Sequence, residues 1–101
     1  MSEDFPQDQF SDSDSRPALP PPDFDFLIYS LRLQAEMNLG LLPMMSDQGS
    51  DLELARHHID LLAMLQEKTK GNLTAEEKRA LDNSVMELRF RFVEAQKQSA
   101  Q

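Results

Sequence analysis

The sequence predicts an all-α fold of three helices, the second and third forming an antiparallel hairpin, preceded by a disordered acidic tail. Three observations carry this expectation. Lys68-Thr69-Lys70-Gly71-Asn72-Leu73-Thr74-Ala75-Glu76-Glu77 contains a helix stop followed at once by a helix start. Ser50-Asp51-Leu52-Glu53 reads as a second helix start ahead of a broad apolar run. The stretch from Phe24 to Leu39 is built from strong helix formers and ends at Gly40.

Residues 1–22 form the expected tail. Ser, Asp, Gln and Pro dominate, and Phe5, Phe10 and Leu19 are too sparse to bury a core. Arg16-Pro17-Ala18-Leu19-Pro20-Pro21-Pro22 favours polyproline II, more simply a stiff spacer than a ligand for a proline-binding domain. The ordered domain is expected over 23–98.

The first helix, about Phe24 to Leu39, requires arbitration. From Tyr29 to Leu39 the odd positions are apolar and the even ones polar, the alternation of a half-buried strand. Residue type decides against it, since Leu, Arg, Gln, Ala, Glu and Met favour helix and no Val, Ile or Thr interrupts the run. Asp23 is the expected N-cap and Gly40 the terminator. At about 100° per residue the alternation becomes two apolar stripes. Phe24, Leu27, Ile28, Leu31, Ala35 and Leu39 form one, and Tyr29, Leu33, Met37 and Leu41 the other. A helix with two apolar stripes has two surfaces to cover.

Leu41 to Gly49 is expected as a loop, with Pro43 barring helix. The second helix follows Ser50, whose hydroxyl is expected to cap while Glu53 reaches back. Leu52, Leu54, Ala55, Ile59, Leu61, Leu62, Ala63 and Leu65 give it a broad apolar arc, and Lys68 and Lys70 suit its C-terminal dipole. Gly71 is the expected residue just past its end. Thr74-Ala75-Glu76-Glu77 opens the third helix, which continues to about Gln98. Its main stripe is Leu81, Val85, Leu88, Phe92 and Ala95, with Met86, Phe90 and Val93 forming a shorter one, and Glu87 is spaced to pair with Arg91. The short connection forces the second and third helices side by side.

Composition bounds function from the outside. The chain has 101 residues and no cysteine, so disulfides and thiolate metal sites are excluded. Of the net charge of −8, residues 1–25 carry −6 and the remainder −2. A near-neutral body with an acidic tail lacks the basic footprint that nucleic acid or anionic lipid requires. No basic segment precedes an apolar run at the N-terminus, and Arg32, Gln34, Glu36 and Asn38 interrupt the most apolar stretch. The expectation is a soluble, cytoplasmic protein.

Candidate sites are few. Glu53, His57 and Asp60 share the polar face of the second helix and in principle contact one divalent metal, which makes a small metal-dependent enzyme the alternative reading. The spacing is not His-Glu-x-x-His, and the simpler reading is a solvated helix face. His58 falls inside the apolar arc, expected to hydrogen-bond a neighbour rather than to act as a pH-sensitive contact. Gly40, Gly49 and Gly71 are isolated, so no phosphate-cradling loop is formed, and Ser46, Ser50 and Thr74 lie at helix starts rather than in a nucleophile constellation. Asn72-Leu73-Thr74 matches the glycosylation pattern, but a chain expected in the cytoplasm does not meet that machinery. Met37, Met44, Met45, Met64 and Met86 read as packing residues before they read as an adaptable groove. No catalytic, cofactor-binding or metal-binding residue is therefore assigned.

The run Ile59-Asp60-Leu61-Leu62-Ala63-Met64-Leu65-Gln66-Glu67-Lys68-Thr69-Lys70-Gly71-Asn72-Leu73-Thr74, with Leu81-Asp82-Asn83 and Glu87-Leu88-Arg89, resembles a bacterial family catalogued as "domain of unknown function 1844". Ser30-Leu31, Leu39-Gly40 and Pro43 resemble the same family's first helix and its exit, so the resemblance spans about Phe24 to Glu94. It implies a small bacterial helical protein and carries over no catalytic or binding residue. His57 and His58 stand outside the motif. The second stripes on the first and third helices remain to be covered, and a domain this small has a marginal core when alone. The expected function is a non-catalytic interaction module, self-associating as a dimer or binding another protein.

Overall fold

The computed structural model describes residues 18–42 and 50–99. The sequence expectations for residues 1–17 and for Pro43 to Gly49 lie outside them. Among the described residues there are three helices and no strands: α1 (Phe24–Asn38), α2 (Leu52–Lys68) and α3 (Ala75–Ser99).

Each helix begins and ends for a local chemical reason. Asp23 caps α1, its Oδ1 accepting from the Phe26 amide at 2.9 Å. The C-terminus of α1 closes in a Schellman arrangement. The Leu41 amide donates to the Glu36 carbonyl and the Gly40 amide to the Met37 carbonyl, with Gly40 at φ 76°. At α2 the expected serine cap shifts by one residue. Asp51, not Ser50, is the N-cap, and its Oδ1 accepts from the Leu54 amide at 3.1 Å. Two adjacent capping side chains offered two registers, and the carboxylate in the later one takes the amide. Before α3 the expected box forms on both sides: the Glu77 amide donates to Thr74 Oγ1 at 3.0 Å and the Thr74 amide to Glu77 Oε1 at 2.9 Å.

Gly71 has the positive φ expected of it, 82°, but it is not the residue just past the helix. The C-cap is Thr69, and Gly71 stands third in the following turn, where the Asn72 amide donates to the Thr69 carbonyl at 2.9 Å. The Thr69 hydroxyl also donates back to the Leu65 carbonyl.

Each helix packs against the other two. The core is Ile28, Ala35 and Leu39 from α1 and the residue after it, Ala55, Ile59 and Leu62 from α2, and Leu81, Val85 and Leu88 from α3. These follow the main stripes read from periodicity, with Phe24, Leu31, Leu65, Phe92 and Ala95 packed partly against them. Leu27, expected in the same stripe, stays largely exposed. Asn38 ties α1 to α2 twice: its carbonyl accepts from the Asp51 amide at 2.7 Å, and its side-chain oxygen lies 2.9 Å from His58 Nδ1. Near the hinge, Gln66 Nε2 donates to Asp82 at 2.9 Å. Farther from it, Arg56, Ile59 and Asp60 of α2 share a depression with Arg89, Phe92 and Val93 of α3.

Candidate functional site

The polar centre of the molecule is Arg32. Its guanidinium donates through Nε to Glu36 at 3.0 Å, through Nη1 to Ser84 Oγ at 3.3 Å and through Nη2 to Glu87 at 2.6 Å. Glu87 therefore pairs across the α1–α3 seam rather than with Arg91, the partner its spacing had suggested. Burial acts to lower the Arg32 pKa, but the hydrogen bonds and charges of Glu87 and Glu36 outweigh it and hold the guanidinium above its ordinary value. Ser84, a buried polar residue at 4% exposure, owes its side-chain partner to this arginine. The cluster borders a cleft of about 260 Å³ that also takes in Leu41, Leu42, Leu88 and Arg91. With all three guanidinium nitrogens engaged within the fold, Arg32 joins helices and offers little to an incoming anion.

A second recess, about 420 Å³, lies at the hinge beside Leu73 and Leu81. Its polar groups are likewise paired internally. Lys78 meets Asp82 at 2.8 Å, Gln66 meets the same carboxylate, and Lys70 stands 3.9 Å from Glu67. The hydrogen bonds from Lys78 and Gln66 hold Asp82 below the usual carboxylate range.

Glu53, His57 and Asp60 are not gathered around one point. Among the described residues no group of three or more His, Asp or Glu side chains is placed to hold a metal ion. Glu53 and Asp60 are seven residues apart, roughly 10 Å along the helix. Asp60 lies instead 4.0 Å from Arg56 on the exposed face. His58 behaves as the simpler reading expected, half-buried with Nδ1 also 3.1 Å from the Leu54 carbonyl.

The feature left without a partner is apolar. On α1, Tyr29 is 57% exposed, Leu33 and Met37 are half-buried, and Leu41 just beyond the helix is largely exposed. Phe26, which the sequence reading left out of both stripes, joins them. It is 41% exposed and its ring centroid lies 6.4 Å from that of Tyr29. At about 100° per residue, positions 26, 29, 33 and 37 fall within one quadrant, a usable signal that the odd–even alternation obscured. On α3, Met86 and Phe90 are 66% and 61% exposed, and Val93 is also open.

Residues 21–94 match the sequence profile described as Domain of unknown function (DUF1844). The chain belongs to this family. The match takes in all of α1 and α2 and most of α3, so the DUF1844 region and the three-helix fold coincide. No curated protein and no solved structure matches the chain significantly. Among the described residues, no helix of this DUF1844 member is long and apolar enough to cross a membrane.

Proposed function

We propose that this DUF1844 protein is a non-catalytic interaction module that self-associates as a dimer through the outer face of α1. The observation that carries the reading is the contiguous stripe Phe26, Tyr29, Leu33 and Met37, four large apolar side chains on one quadrant of a helix whose opposite face already fills the core. The stripe extends about 16 Å along the helix. Full burial of side chains of this size is worth about 1.5–3 kcal/mol each, and the portion still in water is what association would recover. An isologous contact between two copies covers both stripes at once.

The hydrogen bond from Gln66 to Asp82 and the depression that Ile59 shares with Phe92 support an antiparallel hairpin of α2 and α3. A cytoplasmic location accords with the absence, among the described residues, of a membrane-spanning helix.

The test is the double substitution Leu33→Asp with Met37→Asp, followed by light scattering after size exclusion. Monomers that remain helical are expected. A double variant that keeps the parent's mass would remove the α1 face from consideration.

A further inference from the structure

We propose that the acidic N-terminal segment, residues 3–14, docks in the depression between α2 and α3 of its own chain. The depression encloses about 440 Å³. Its apolar lining is Ile59, Phe92 and Val93, and its polar lining is Arg56 and Arg89 with Asp60 and Gln96. The exposed Phe90 and Met86 continue its apolar character along α3. Among the ion pairs between described residues, Arg56 makes only a 4.0 Å contact with Asp60, and Arg89 makes none.

The occupant is chosen by chemistry. A depression with an apolar floor and two arginines against one aspartate takes an acidic segment with aromatic anchors. Residues 3–14 supply Glu3, Asp4, Asp8, Asp12 and Asp14 with Phe5 and Phe10, and no basic residue. No described segment of the chain has this composition.

Reach permits it. Arg32 meets Ser84 and Glu87, while Leu41 and Leu42 share a cleft with Leu88 and Arg91, so α1 advances along α3 in the same direction. The start of α1 therefore lies roughly 20 Å short of Phe90 along the axis, and the tail must also pass about 10 Å across a helix. Phe10 precedes Ala18, the first described residue, by eight residues, which span up to about 26 Å when extended. The site is on α2 and α3, away from the α1 stripe, so the inference does not rest on self-association.

The chain has no cysteine, so Gln9→Cys places a single spin label beside Phe10 on the full-length protein. At low salt the label is expected to quench the amide resonances of Arg89, Phe92 and Val93. The quenching should disappear in Phe5→Ser/Phe10→Ser, in Arg56→Glu/Arg89→Glu, and near 1 M salt, where the screening length falls to about 3 Å. Mixing spin-labelled chains with isotope-labelled, unmodified ones should give no quenching. Quenching confined to residues 18–27, quenching indifferent to the phenylalanines or to salt, or quenching in the mixed sample would each overturn docking within the chain. A dimer or monomer result from light scattering leaves this readout unchanged, so the two proposals fail separately.

Discussion

Replacing Arg32 with alanine removes the one side chain that, among the described residues, bonds to α1 and α3 together, and the structure sets the scale of the loss. Ser84 is buried, and its hydroxyl would lose its side-chain partner, at a cost of about 1–3 kcal/mol. The hydroxyl can turn toward a carbonyl of its own helix, which places the cost near the low end of that range. The two ion pairs are partly exposed, with 28% of the Arg32 side chain accessible against 24% of Glu36 and 48% of Glu87, so each contributes no more than about 1 kcal/mol. The expected destabilisation is about 2–3 kcal/mol. For a domain of this size that lowers the melting temperature by roughly 10–20 °C. Urea unfolding at fixed protein concentration reads the change. Ser84→Ala alone should be nearly neutral, and in the double variant it should return about 1 kcal/mol of the loss, since no buried hydroxyl is then stranded. An Arg32→Ala protein within about 0.5 kcal/mol of the parent would refute the cross-helix role.

Other perturbations address other parts of the fold. Leu62 is completely buried among all three helices, so Leu62→Ala should cost about 2–5 kcal/mol in the same urea assay. At Gly71 a Cβ would meet no atom within 4 Å, so Gly71→Ala should cost only the left-handed backbone penalty, about 1–2 kcal/mol, with no change in helix content by circular dichroism. Asp82 has its pKa depressed by Lys78 and Gln66. The stability it contributes is therefore present above its unfolded pKa and is lost as pH falls through its lower folded value. Melting temperatures of Asp82→Asn measured between about pH 5 and pH 3 should fall less steeply than the parent's.

Helix boundaries were legible where one local motif had a single register. Asp23, Gly40 and the Thr74–Glu77 box act as their spacing implied, because each is decided within four residues of backbone. Ser50 and Asp51 are both good caps, and nothing local ranked them, so the start of α2 was off by one. The core was legible because periodicity fixes which face of a helix is apolar; Ile28, Ile59, Leu62, Leu81 and Leu88 were all in the stripes. Arg32 was not legible as a clamp, since its partners Ser84 and Glu87 lie more than fifty positions away and only the packing of α1 on α3 brings them near. The Glu87–Arg91 spacing was a local possibility that this tertiary contact displaced. Phe26 was missed because the alternating run begins after it, although helical phase places it beside Tyr29. Glu53, His57 and Asp60 show the converse: they share helical phase, yet the axial separation keeps Glu53 and Asp60 roughly 10 Å apart, and no group of three such side chains gathers among the described residues.

The measurement that bears most directly on the central claim is light scattering coupled to size exclusion on the full chain. Self-association through the α1 face predicts a species of twice the 11.6 kDa chain mass. A single folded species of 11.6 kDa at every concentration would contradict it.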